Sequence, residues 1–172
     1  MGRGQRRREL DLEFERFVVA VWPRLRRAAY LLCHDTHEAD DLVQTALAAT
    51  YARWRGVRRE DAYAYVRRAV VNAYLDGLRR RRPVPVEHDP DRLVPADHSV
   101  EARSELAELL APLSPRERTI IVWRYYLDAS EAEVAQRLGI SAGTVKSTAS
   151  RALARARSAA SIRATTTQGE GR

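Results

Sequence analysis

The densest run of reactive side chains in this 172-residue chain is Cys33-His34-Asp35-Thr36-His37-Glu38. Sulfur, imidazole and carboxylate packed so closely invite a metal site, or a phosphohydrolase built on the His-Asp pair. Two features of the sequence count against both. His34 and Asp35 straddle a predicted helix start, and the histidines outside the run, His88 and His98, fall in a proline-rich stretch. A single cysteine excludes a disulfide framework and any multi-cysteine zinc module. The sequence has no phosphate-binding loop, dinucleotide fingerprint or nucleophile elbow. Neither a metal nor a cofactor is expected, and the chain does not read as an enzyme.

Residues 130–157, SEAEVAQRLGISAGTVKSTASRALARAR, carry a different chemistry. Val134, Leu138, Ile140 and Val145 supply an apolar seam, and Ala135 is small where a second helix must cross closely. Gly139 stands where the turn needs a left-handed residue. This spacing predicts a helix-turn-helix. On its second helix Val145, Ala149, Ala152 and Ala156 share the inward face, leaving Thr144, Lys146, Ser147, Ser150 and Arg151 outside. Short hydroxyls and outward cations contact base edges and phosphates when a helix lies in a major groove, so DNA is the expected ligand.

Composition points the same way. Thirty basic residues face 23 acidic ones for a formal charge of +7, and Lys146 is the one lysine, so the surface is built from guanidinium groups suited to phosphate. Residues 1–82 hold 18 basic and 11 acidic side chains, 83–103 hold 2 and 5, and 104–172 hold 10 and 7. The acidic middle contains Pro83, Pro85, Pro90 and Pro95, each of which removes a backbone donor, and it reads as an extended linker. The chain therefore divides into a basic arm (1–9), a first domain (10–82), the linker (83–103), a second domain (104–160) and a disordered tail (161–172) too poor in apolar surface to offset its ordering entropy. No apolar run approaches the roughly 20 residues that span a bilayer, and no apolar stretch follows the basic start. The cytoplasm is the expected location, with no membrane partner.

The elements that must position these residues all read as helices. Leu10, Phe14, Phe17, Val18 and Val21 recur at helical spacing up to Pro23, and Leu25, Ala28, Ala29 and Leu32 resume it, as two helices or one kinked one. Asp35 caps the next helix, on which Ala39, Leu42, Val43, Ala46 and Leu47 form one face and Asp40, Asp41 and Gln44 point away. Ala62, Tyr65, Val66, Ala69, Val70 and Ala73 carry a further helix into the basic run Arg79 to Arg82. In the second domain a helix around Val100 to Leu110 comes first, and capping boxes start at Ser114 and Ser130. No segment alternates with period two long enough to argue a strand, so the class is all α, two small helical domains on a proline-rich linker.

These segments resemble a family. GTVKS followed by SRALARAR, preceded by LSPRERTIIVWRYY, is similar to domain four of bacterial RNA polymerase sigma factors, the part that reads the −35 promoter element. HEADDLVQTALAATYARW is similar to sigma region 2.2, and AYVRRAVVNAYLDGLRRRR to regions 2.3 and 2.4. Two domains in this order on a short linker are the plan of the extracytoplasmic-function group, and the chain most resembles its short actinobacterial, SigE-like branch. The resemblance implies a factor that binds core RNA polymerase and directs promoter-specific initiation while performing no chemistry of its own. It implies that Asp40, Asp41 and Gln44 touch the clamp helices of the polymerase. It also implies that Arg58 and Arg59, in RGVRRED, belong to the loop that pockets a flipped −10 base, with Tyr63 or Tyr65 stacking, and that Asn72, Arg79 and Arg80 track that strand. Partners are then core polymerase, promoter DNA as duplex at −35 and melted strand at −10, and in some systems an anti-sigma protein. Three positions depart from the family pattern: Thr45 where an acid is common, His34 where a helix-ending glycine is common, and Ala149 where a basic residue is frequent. The competing reading is a stand-alone helix-turn-helix regulator, which would bind its duplex site without polymerase.

Overall fold

The computed structural model describes residues 3–81 and 104–169, with side chains over 4–81 and 104–161. Every regular element among the described residues is helical, so the class is all α. The chain divides into two compact units, Met1–Tyr30 with Asp35–Asp97 and His98–Arg172 with Leu31–His34. The linker predicted at 83–103 lies outside the described residues.

Helix α1 runs over Arg3–Cys33 without a break, with Pro23 inside it, and all but its last three residues belong to the first unit. An internal proline removes one helical hydrogen bond and costs about 3 kcal/mol or more. Leu25, Ala28 and Ala29 beyond it are wholly buried, and that burial holds the helix together across the proline. The expected two-helix alternative gives way to one helix, and the basic stretch opens it, with Gly4 to Glu9 exposed. His34 then adopts φ 58°, a left-handed conformation that favours glycine. Helix α2 (Thr36–Ala52) starts where Asp35 accepts a hydrogen bond from the Glu38 amide at 2.8 Å. Its inner face packs against helix α3 (Ala62–Arg80), which buries Val66, Val70, Val71 and Tyr74. Arg81 closes the pair by gripping both oxygens of Glu38 at 2.7 and 3.0 Å.

The second unit contains α4 (Glu105–Leu110), α5 (Pro115–Ile121), a π-helical turn (Val122–Tyr126), α6 (Glu131–Leu138) and α7 (Ala142–Gly169). Expected helix around Val100 starts instead at Glu105 among the described residues; Val100 to Arg103 lie outside them. Ser114 and Glu117 form the complete capping box of α5, and Ser130 caps α6 through the Glu133 amide. The π turn adds a residue to the register: the Leu127 amide reaches the Val122 carbonyl at 3.0 Å, and wholly buried Trp123 anchors the bulge. Helix α7 packs on α4, α5 and α6. As backbone it continues to Gly169, past Ser161, where the sequence predicts a disordered tail. Each added residue of a formed helix fixes one residue for one hydrogen bond, so extension needs no new nucleus, and Ala159 and Ala160 favour it.

Candidate nucleic-acid interface

Gly139 ends α6 in the left-handed conformation, φ 64°, and Ser141 opens α7 by accepting the Thr144 amide at 3.0 Å. Between them they set α7 across α6. Its inner face is made of Val145, Ala149, Ala152 and Ala156, none more than 2% exposed. Ala149 is therefore a packing residue of this helix. Thr144, Lys146, Ser147, Ser150 and Arg151 are all exposed, as their spacing predicts. The Thr144 hydroxyl pairs with that of Ser141 at 2.9 Å, and Ser147 donates to the Thr144 carbonyl at 3.2 Å, so both have lone pairs left to offer. Arg151 uses Nε on the Ser147 carbonyl at 3.3 Å, which leaves its terminal nitrogens available for a phosphate. Arg155, one helical turn on, is engaged with Glu117 instead.

The first unit builds its site from the loop between α2 and α3. Trp54 is 2% exposed and lies 4.9 and 5.0 Å, ring to ring, from Phe14 and Phe17 of α1. Over it sits Arg59, its guanidinium 4.2 Å from the indole centroid. Arg59 donates to the carbonyls of Trp54 (2.8 Å) and Val57 (2.7 Å) and grips both oxygens of Glu13. That bond holds the Glu13 carboxyl below the usual carboxylate range. Arg59, expected on DNA, thus spends its donors fastening the loop to α1. Arg58 is the freer of the two: its side chain is 75% exposed and, among the described residues, pairs with Glu60 and, at 3.8 Å, Asp61. Exposed pairs of this kind are worth 0–1 kcal/mol and exchange readily for a phosphate.

Behind this loop opens a recess of about 750 Å³, with Arg53, Arg55, Arg58 and Arg68 around Tyr65 and one acid, Asp61. Tyr65, rather than Tyr63, supplies the ring. Tyr63 lies two residues earlier on α3, is half-buried, and has the Arg24 guanidinium of α1 5.1 Å from its centroid. Positions i and i+2 of a helix do not share a face, so only one of the two can line the recess. Asn72 is half-buried with an enclosed Oδ1 that has no hydrogen-bond partner among the described residues. Arg79 and Arg80 are exposed at the end of α3, where each bonds Asp76, one to its carboxylate at 3.1 Å and one to its carbonyl at 3.3 Å.

The three residues expected on polymerase also separate. Asp41 and Gln44 are exposed, as is Thr45. Asp40 is not free: Arg26 of α1 donates to it at 2.6 Å, and both side chains are partly buried. The cysteine-histidine run around Asp35 is dispersed into local structure, Asp35 capping α2 and Glu38 holding Arg81. Arg53 and Arg68, which sequence reading missed, line the recess beside Arg55, the first residue of the RGVRRED loop. Their signal was present in the density of arginine around Trp54, but their convergence depends on how the loop folds back.

Two family models match the chain: Sigma-70 region 2 over residues 17–84 and Sigma-70, region 4 over residues 103–155. The RNA polymerase sigma-E factor of Streptomyces avermitilis is 43% identical over 152 residues, which is 85% of this chain and 84% of that protein. The ECF RNA polymerase sigma factor SigM of Mycobacterium tuberculosis is 35% identical over 136 residues, 77% of this chain and 69% of that protein. Among solved structures, the sigma factor RpoE of Bartonella quintana, co-crystallised with the anti-sigma factor NepR, superposes with a TM-score of 0.62 at 24% identity, covering 85% of this chain and 95% of that one.

Proposed function

The chain belongs to the sigma-70 family of RNA polymerase sigma factors, in its extracytoplasmic-function group, and from that premise we propose how its two units divide the work of initiation. It acts with core RNA polymerase and promoter DNA in transcription initiation. The second unit lays α7 in the major groove of the −35 duplex, with Lys146 and Arg151 on phosphates and Thr144, Ser147 and Ser150 at base edges. The first unit takes one unpaired base of the −10 strand into the recess, stacks it on Tyr65 and holds its phosphates with Arg53, Arg55, Arg58 and Arg68. Arg79 and Arg80 follow the strand along α3. Asp41 and Gln44 dock on polymerase. Binding of the extruded base offsets part of the cost of unpairing, so the chain assists melting without chemistry of its own.

The observation that carries this reading is the sidedness of α7: five outward polar residues over an inner face that is almost wholly buried. The test is run-off transcription with bacterial core polymerase on genomic fragments. Discrete transcripts should appear only when the chain is added. Arg58→Ala with Arg68→Ala should reduce output from duplex promoters more than from templates already unpaired at −10, because the opening cost is then absent. Asp41→Lys should abolish co-purification with core polymerase. Tight, specific binding of a duplex site without polymerase would instead make the chain a stand-alone regulator.

A further inference from the structure

A second, smaller groove of about 210 Å³ adjoins the recess. Ala52 and Arg55 line both, so one arginine stands on the wall between them. The far side of the groove comes from the opening turns of α1, through Arg7, Leu10 and Asp11, and its near side includes Tyr51 and Trp54. These α1 residues precede residue 17, where the match to Sigma-70 region 2 begins.

The chemistry of the groove is specific. Tyr51 is 44% exposed, a large ring left partly in water at the end of α2. Its hydroxyl donates to Asp11 at 2.6 Å and its ring lies 5.0 Å from that of Phe14, so it is held at both ends. Asp11 is the one acid in the lining, and it is occupied by that bond. Arg7 and Arg55 are exposed and form no ion pair among the described residues. An exposed, immobilised ring between two cations is what an unpaired nucleotide requires: a π face for the base and guanidinium groups for its phosphates. The volume is below that of a drug-sized pocket, which suits a single base ring with its phosphates left outside on the arginines.

We propose that this groove is a second nucleotide site, in which Tyr51 stacks the base next to the one held by the recess, Arg55 grips the phosphate that joins the two, and Arg7 holds the phosphate beyond. This rests on the reading of the recess as the −10 base pocket. It makes the opening turns of α1 part of the promoter-melting surface, so two adjacent positions of the −10 strand, rather than one, are read out of the stack.

The test uses holoenzyme and a fork template, a duplex ending in a single-stranded −10 segment of randomised sequence, with binding measured over a salt series and the bound strands sequenced. Tyr51→Leu should weaken binding about tenfold and flatten the base preference at one position adjacent to that governed by the recess. Tyr51→Phe keeps the ring and should keep that preference. Arg7→Ala should lower the salt slope by about 0.7, the single-strand value for one lost phosphate contact. Arg58→Ala with Arg68→Ala serves as the reference for the recess itself. If these reference variants lose binding while Tyr51→Leu and Arg7→Ala behave as the unchanged chain, the groove is not a nucleotide site. If the reference variants also bind normally, the recess reading fails and the groove proposal falls with it. Where Tyr51→Leu lowers the folded fraction, Arg7→Ala alone decides: an unchanged salt slope overturns the proposal.

Discussion

The recess and the recognition helix both present arginine and hydroxyl groups to DNA, yet they are built in opposite ways. On α7 the residues that hold the fold and those that face outward are different residues on different sides of one helix. In the recess they are intermingled: Trp54 and Arg59 hold the loop in place, and three of the four arginines offered to DNA, Arg53, Arg55 and Arg58, lie beside them on the same loop. A reader of duplex DNA enters a groove that already exists and needs only a rigid rod with a variable face. A site for an unpaired base must enclose its ligand, and enclosure requires a loop fixed by its own side chains.

The largest effect that would break this contrast is predicted at Trp54. Trp54→Ala should cost about 3–5 kcal/mol, read from urea unfolding, and should abolish promoter opening because the loop loses the ring on which Arg59 rests. On α7, by contrast, Ser147→Ala should leave stability within about 0.5 kcal/mol while costing roughly 1–3 kcal/mol of discrimination at one −35 position, measured on a randomised promoter library. Its neighbour Lys146→Ala should weaken all promoters alike and lower the salt slope by about 0.9. A smaller effect isolates the turn that aims α7. Gly139→Ala should destabilise by about 1 kcal/mol in thermal unfolding, and by strain alone, since an added Cβ at φ 64° meets no atom within 4 Å. Smallest is the coupling of Glu13 with Arg59. A double-mutant cycle should return about 0.2–1 kcal/mol, because both side chains are some two-fifths exposed. A coupling near zero would mean that the cation over Trp54, not the ion pair, fastens the loop.

The contrast also explains what sequence could disclose. The periodicity of α7, the left-handed Gly139 before it and the caps at Asp35, Ser114 and Ser130 are local signals, each set by residues within a few positions of one another, and in the second unit they mark most of the helix starts and the recognition face. The recess depends on contacts between distant segments. Glu13 and Arg59 are 46 residues apart, and nothing near Arg59 says that it is a fastener rather than a phosphate ligand. Tyr63 and Tyr65 look equivalent in AYAYV until α1 is seen to occupy one side of α3. Asp40 reads as an exposed acid beside Asp41, and only the fold brings Arg26 to it. Helix propagation beyond Ser161 was illegible for a different reason: composition reports weak burial, whereas continuation depends on a helix already formed.

One carboxylate in the second unit serves two helices. Glu117 accepts the Ser114 amide at 3.1 Å and the Ser114 hydroxyl at 2.7 Å, completing the start of α5, and it also engages Arg155 of α7. Burial pushes this carboxyl up, but its bonds to Ser114 and Arg155 outweigh that and hold it below the usual range. A depressed value means that the stabilisation is fully present above the unfolded-state value and is lost as pH falls through the lower, folded one. Acid therefore acts here on a single proton with two consequences, loosening the cap of α5 and releasing the tie to α7 together. Helix α7 and the start of the helix behind it respond to acidity as one, and do so at acidities where free glutamates are already protonated.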